Sequence, residues 1–203
     1  VCEDGSMFGE EYTLVAVSDY VLSKTPGNTV SNLSSTRALR EITIRNKGQY
    51  AVSEVGEVNV VEKMKETDAI IGGEGNGGVI YPALHYGRDA LVGIALFLTQ
   101  LAERGMSIKK LRDTYPDYFI SKKKIQLSAE IDVDNILSFL EDKYRHEQLT
   151  TIDGLKIDFA EGWVHIRKSN TEPIIRIYAE SQGEEKANDL ADDMINEIKQ
   201  LFS

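Results

Sequence analysis

The sequence predicts two consecutive domains: an α/β three-layer domain with a mainly parallel sheet over residues 1–118, then a smaller α+β domain with an antiparallel sheet over residues 119–203. Three observations predict this. Short apolar strands alternate with amphipathic helices through the first half, which is how a parallel sheet is wound. The run Asp68-Ala69-Ile70-Ile71-Gly72 is apolar enough to be buried on both faces, as a central parallel strand is. After residues 113–121 the style changes to strand-like runs separated by Asp153-Gly154 and Glu161-Gly162, the turn signals of an antiparallel meander.

Taken in order, residues 6–24 read as a helix, with Phe8, Tyr12, Val15 and Leu22 near helical spacing and Thr25-Pro26-Gly27-Asn28 as its stop. Residues 29–33 form a short strand. Ser34-Ser35-Thr36 then offers capping hydroxyls to a helix over 37–47, which Gly48 closes. A second strand spans 49–55. Gly56-Glu57 turns into a short helix through Val60, Val61, Met64 and Thr67, and residues 68–72 are the third strand. A glycine-rich loop and an extended passage through Tyr81-Pro82 lead to a long helix over 88–103, whose Leu91, Ile94, Ala95 and Leu98 are expected to face inward. A short helix covers 107–115. The second domain reads as a strand at 124–129, a helix at 133–145, strands near 155–159, 163–167 and 174–179, and a last helix over 184–202. That order is β-α-β-β-β-α. Lys122-Lys123-Lys124 reads as the charged guard of an edge strand.

A formal charge of -10 argues against a nucleic-acid or anionic-membrane surface, both of which ask for clustered Lys and Arg. The single cysteine, Cys2, leaves no internal disulfide, and three scattered histidines form no metal-ligand cluster, so a reducing cytoplasm is the expected compartment. No run of about 18 apolar residues suits a membrane span. Val1-Cys2-Glu3-Asp4-Gly5 reads as the tail of a strand and its turn, whose first partner is expected upstream.

Two polar loops carry the chemistry. Arg167-Lys168-Ser169-Asn170-Thr171-Glu172-Pro173 lies between strand formers, and places one guanidinium close to three short hydrogen-bonding side chains. Such a loop can bind an anion, most naturally a phosphate, because a guanidinium fork matches its oxygens and hydroxyls and N–H groups supply the remaining donors. A solvated hairpin turn accounts for the same residues equally well. The second loop, Gly73-Glu74-Gly75-Asn76-Gly77-Gly78, has the spacing of a dinucleotide fingerprint. It is followed by Val79-Ile80-Tyr81-Pro82 rather than by a helix, which disfavours a nucleotide. It sits at the carboxyl end of a parallel strand, where open α/β sheets bind ligands. Glu74 could accept from, and Asn76 donate to, vicinal hydroxyls of a sugar. The alternative is that the glycines only permit a tight, irregular crossing.

Together these motifs resemble those of the α-D-phosphohexomutase family, which comprises phosphoglucomutase, phosphomannomutase and phosphoglucosamine mutase. The glycine loop resembles the G-E-x-S/N-G-H sugar loop of the third domain, and residues 167–173 match the R-x-S-x-T-x-P phosphate loop of the fourth. Ser34-Ser35-Thr36-Arg37 and Val55-Gly56-Glu57-Val58-Asn59 are also similar to family loops. The resemblance implies that Glu74, Asn76 and Arg37 contact the sugar, and that Arg167, Ser169, Asn170 and Thr171 clamp the phosphate that is not transferred. The two loops are expected to meet opposite ends of one hexose phosphate. Two positions depart from the pattern: Gly78 stands where many members have histidine, and Glu57 where some have a basic or aromatic residue. These departures are expected to tune the hexose, with a lean toward glucosamine.

The family's phosphoserine and D-x-D-x-D-R magnesium loop have no counterpart here; Asp132-Val133-Asp134 reads as a helix cap. The chain is therefore expected to be the recognition half of a longer enzyme that interconverts hexose 1- and 6-phosphates through a bisphosphate. In that reading it carries no catalytic residue and is inactive alone. Its Mg2+ is held elsewhere, a glucose 1,6-bisphosphate-like activator serves the whole enzyme, and the N-terminal domains of the same chain are its partners. The competing readings are a non-catalytic anion-binding or protein-interaction module and, third, a nucleotide-dependent enzyme.

Overall fold

The computed structural model describes residues 1–127, 132–169 and 172–201. The chain divides into two units, Val1–Pro116 and Asp117–Ser203.

In the first unit the order is α1 (Glu10–Lys24), β1 (Asn28–Asn32), α2 (Ala38–Arg45), β2 (Tyr50–Ser53), α3 (Glu57–Glu66), β3 (Ala69–Glu74), β4 (Gly78–Ile80), α4 (Ala90–Arg104) and α5 (Ile108–Arg112). The sheet runs β2-β1-β3-β4. The first three strands are parallel, with Thr29 opposite Tyr50 and Ile71, whereas β4 returns antiparallel beside β3. The expected loop at 79–82 is thus partly a strand, and the sheet is mixed at one edge. Alternation along β1 decides what each face meets. Val30 packs on one side with Val60 and Met64 of α3, together with Ala69 and Ile80. Thr29 points the other way and shares a buried 2.6 Å hydrogen bond with Thr43 of α2. α1 is buried over most of its surface, with Val15, Ala16 and Val17 fully inaccessible, because it packs against β3, α2 and α4 at once.

The expected inward face of α4 is corrected by the structure. Leu91, Ile94 and Leu98 are 78%, 55% and 56% exposed, and the buried positions are Gly93 and Gln100. The helix is apolar on more than one side, so periodicity could not choose the packed face. Gly93 chose it: a Cβ there would already stand 3.2 Å from Val79 Cγ2, so the helix comes down on β4 at the one position without a side chain. Gln100 is then turned inward, where its amide donates to the Tyr115 hydroxyl at 3.1 Å.

Beneath α4, Asp19 of α1 ties this side together. Its carboxylate takes Arg45 at 2.9 Å and Arg104 at 2.6 Å, and the Tyr115 hydroxyl donates to it at 3.2 Å. A buried carboxylate is tolerable only when paired and hydrogen-bonded in this way.

The second unit contains β5 (Phe119–Gln126), α6 (Val133–Lys143), β6 (Gln148–Thr150), β7 (Leu155–Asp158), β8 (Gly162–Lys168), β9 (Ile174–Ser181) and α7 (Glu184–Gln200). The antiparallel order is β5-β9-β8-β7-β6. β6 adds a strand to the expected β-α-β-β-β-α series; Gln-Leu-Thr is too short to show a period. Of the strand expected at 124–129, residues 128 and 129 lie outside the described residues, and β5 begins earlier, at Phe119. Lys122, Lys123 and Lys124 do lie on an edge strand, where charge discourages pairing with another sheet. One face of the sheet packs Ile157, Val164, Ile166, Ile175, Ile177 and Ala179 against Ile136 and Leu140 of α6 and Ala191, Met194 and Ile198 of α7. The alternate residues on the other face include Trp163, His165, Arg167, Arg176 and Glu180, and the Trp163 indole donates to Glu180 Oε1 at 2.7 Å.

Candidate functional site

Three turns at the carboxyl ends of β1, β2 and β3 are knitted together by one carboxylate. Asn32, the last residue of β1, accepts from Ser34 N–H at 3.0 Å and from the Ser35 hydroxyl at 2.9 Å, which folds the polar turn that leads to Arg37. Its amide nitrogen donates to Glu74 Oε1 at 2.9 Å. The same oxygen accepts from Gly56 N–H, at the start of α3, at 3.2 Å. Glu74 is only 7% exposed and its Oε1 takes two hydrogen bonds, so the carboxylate is held in place rather than carried on a flexible loop. Its second oxygen, Oε2, faces Arg88 NH1 at 3.6 Å.

The glycine-rich stretch is the tip of the β3–β4 hairpin, with Glu74 opposite Gly78. Gly75 N–H donates to the Ser35 hydroxyl at 3.0 Å, which brings the Ser34–Thr36 turn onto the hairpin; Glu11 lies alongside and accepts from Thr36 N–H at 3.0 Å. Exposed Asn76 bends the tip through its side-chain oxygen, which accepts from Gly78 N–H at 3.1 Å. Its amide nitrogen is left at the surface as a donor. Arg37 caps α2 in the same turn as Ser35 and Thr36. Glu74, Asn76 and the Arg37 turn are therefore brought to one end of this sheet.

Arg88, just ahead of α4, carried no signal in the sequence. Its backbone N–H donates to Glu57 Oε1 at 3.1 Å and its Nε to Oε2 at 2.8 Å. These two bonds, the backbone one first, hold the Glu57 carboxyl below the usual carboxylate range. The partners stand 31 positions apart, so no helical or strand spacing could have paired them. Glu57 thus begins α3 with its charge already fastened.

In the second unit the β8–β9 hairpin carries the residues expected to form a phosphate loop. Ser169 N–H donates to the Ile174 carbonyl at 3.0 Å, and Leu127 N–H donates to the Pro173 carbonyl at 2.9 Å, which fixes both shoulders of the turn. Arg167 stands directly opposite Arg176, on the face that carries Trp163 and His165. Like charges directly across a sheet oppose folding unless an anion lies between or beside them. Arg176 has Glu172 at 3.1 Å. Arg167 Nε is buried and has no hydrogen-bond partner among the described residues. A buried donor without an acceptor costs its desolvation, and an oxyanion would remove that cost. Asn170 and Thr171 lie outside the described residues. Arg176 was not foreseen, although a hairpin register centred on the loop pairs it with Arg167.

Among the described residues, no group of His, Cys, Asp and Glu side chains is placed to hold a metal ion. Asp132 is consumed as the cap of α6: Oδ1 accepts from Asp134 and Asn135 N–H groups, and Oδ2 from the Asn135 amide. No helix among the described residues is long and apolar enough to cross a membrane.

The first unit is a mixed α/β sheet with three polar turns gathered at its carboxyl end, and the second is an antiparallel sheet with Arg167 opposite Arg176 near a hairpin turn. Residues 9–118 match the phosphoglucomutase/phosphomannomutase α/β/α domain III, and residues 120–197 match the C-terminal domain of the same family. The chain belongs to the phosphoglucomutase/phosphomannomutase family. Among curated relatives, a probable phosphoglucosamine mutase of Methanopyrus kandleri is 28% identical over 202 residues, covering 98% of this chain and 44% of that protein. The chain thus spans less than half the length of such relatives. Among solved structures, a phosphoglucomutase/phosphomannomutase family protein of Burkholderia thailandensis has a TM-score of 0.79 at 24% identity, over 97% of this chain and 43% of that one. The N-acetylphosphoglucosamine mutase of Aspergillus fumigatus, solved in complex with GlcNAc-6P and magnesium, has a TM-score of 0.62 at 17% identity, over 92% and 46%.

Proposed function

We propose that this chain is the substrate-recognition half of an enzyme that interconverts hexose 1-phosphates and 6-phosphates through a bisphosphate intermediate. In this reading Glu74 accepts from a sugar hydroxyl through Oε2, the Asn76 amide donates to a neighbouring oxygen, and Arg37 contributes from the adjoining turn. Arg167, Ser169, Asn170 and Thr171 hold the phosphate that stays in place. The observation that carries the reading is the buried Arg167 Nε, which has no partner among the described residues and stands across from a second arginine. A buried guanidinium N–H of this kind suits an oxyanion acceptor.

The described residues hold no cluster that fits a magnesium site, and both carboxylate oxygens of Asp132 already accept hydrogen bonds at the start of α6. The reading therefore assigns phosphoryl transfer, which needs charge neutralisation and in-line positioning, to other domains of the full-length protein, and expects no turnover by this chain alone. The family's relatives support hexose phosphate as the ligand, and glucosamine phosphate is the first candidate to test.

Calorimetric titration with glucosamine 6-phosphate, glucosamine and inorganic phosphate tests the reading against a generic anion-binding module. The sugar phosphate is expected to bind most tightly, and Arg167→Ala to weaken it by about 10- to 100-fold, the worth of one or two hydrogen bonds to a charged group. Equal affinity for inorganic phosphate, or an unchanged affinity in Arg167→Ala, would contradict it.

A further inference from the structure

Gly78 and Glu57, from different elements, meet on a single side chain, Arg88. A Cβ at position 78 would stand 2.6 Å from Arg88 Cδ and 3.0 Å from Asn76 Oδ1. Glycine is therefore the residue that lets the aliphatic stem of Arg88 lie across the hairpin tip. Glu57 takes the Nε of the same arginine, which fixes the direction of the guanidinium. The terminal nitrogens then reach toward Glu74, with NH1 3.6 Å from Oε2, and neither makes a hydrogen bond among the described residues. The Arg88 side chain is 43% exposed, so these donors are open to a ligand.

We propose that Arg88 is a sugar-contacting, specificity-determining residue, and that Gly78 and Glu57 are the positions that place it; this rests on the hexose phosphate reading above. The geometry supplies a matched pair. Among the described residues Glu74 Oε2 accepts no hydrogen bond, and the Arg88 guanidinium lies next to it at 3.6 Å. One hydroxyl of a vicinal diol can donate to the carboxylate while its neighbour accepts from the arginine. An isolated carboxylate would read one hydroxyl only. A site built to hydrogen-bond a hydroxyl rejects the analogue that lacks it, because its buried polar groups are then left unpaired.

The test uses the full-length protein and compares kcat/KM for the preferred hexose phosphate with that for deoxy analogues lacking one ring hydroxyl at a time. Wild type is expected to lose about 10- to 100-fold on two adjacent deoxy positions. Arg88→Met should lose a similar factor on the parent sugar and cease to discriminate at one of those positions, whereas Glu74→Gln should lose discrimination at the other. Gly78→Ala, which displaces the stem without removing the charge, should reproduce part of the Arg88→Met effect. The double variant Gly78→Ala, Arg88→Met should be no worse than Arg88→Met alone, since the two act through one group. Arg88→Lys, in case Arg88→Met misfolds, should keep the fold and still lose discrimination, because an ammonium lacks the fork. If the Arg88 and Gly78 variants keep every discrimination ratio within twofold of wild type while Glu74→Gln does not, the proposal for Arg88 fails and the sugar site stands. If wild type turns over no hexose phosphate at all, the underlying reading fails with it.

Discussion

His165 gives the second unit a pH-dependent stability whose size follows from its surroundings. It is 1% exposed in the middle of β8, and its Nε2 lies 2.7 Å from the Asp153 carbonyl, so the neutral ring donates there. Burial pushes its pKa from 6.5 down to about 4; the Asp153 carbonyl opposes the shift, while Lys156 and Arg167 add to it. The folded value is depressed, so the unfolded chain takes up a proton near pH 6.5 and the folded one does not until about pH 4. Stability is therefore complete above pH 6.5 and falls as the pH drops toward 4. At about 1.4 kcal/mol per unit the loss reaches about 3 kcal/mol, a large part of the stability of a domain of this size. Trp163, the sole tryptophan, is buried two residues away, so its fluorescence in urea follows this unit alone. Carboxylates add an acid slope of their own, and His165→Gln, which keeps a donor but does not titrate, isolates the histidine. The stability difference between wild type and the variant should shift by about 3 kcal/mol against wild type between pH 7.5 and 4. A difference that stays constant over that range would refute the reasoning.

Two further outcomes follow from packing. Asp19→Ala leaves Arg45, Arg104 and the Tyr115 hydroxyl without their shared acceptor, and should destabilise the first unit by about 1–3 kcal/mol in chemical denaturation; a loss below about 0.5 kcal/mol would mean that solvent replaces the carboxylate. Leu98→Ser, by contrast, should alter stability by no more than about 0.5 kcal/mol, since Leu98 is 56% exposed, whereas an inward leucine would cost several times more.

The fold was legible where the sequence carries an unambiguous period or a turn residue that only one geometry accepts. The succession of strand and helix up to β3, the cap at Asp132 and the meander after Asp153-Gly154 are of that kind. α4 was not, because an all-round apolar helix has no preferred face until Gly93 meets Val79. β4 and β6 are three residues each, shorter than the two-residue alternation needs to declare itself. In the turns at the carboxyl end of the first sheet, Glu74 and Asn76 were readable as a carboxylate and an amide in a glycine loop. Their supports were not: Asn32, Gly56 and Arg88 come from different elements and meet only through the sheet's topology. Arg167 was readable as a cation in a polar turn, and its pairing with Arg176 was not, because that depends on hairpin register rather than on the motif.

Phosphorus NMR of the full-length protein supplied with glucosamine 6-phosphate, magnesium and a trace of the bisphosphate tests the central claim most directly. The account expects the 1-phosphate resonance to grow in to an equilibrium ratio, and to do so at least tenfold more slowly in both Glu74→Gln and Arg167→Ala. No exchange of any hexose phosphate, or undiminished exchange in both variants, would contradict it.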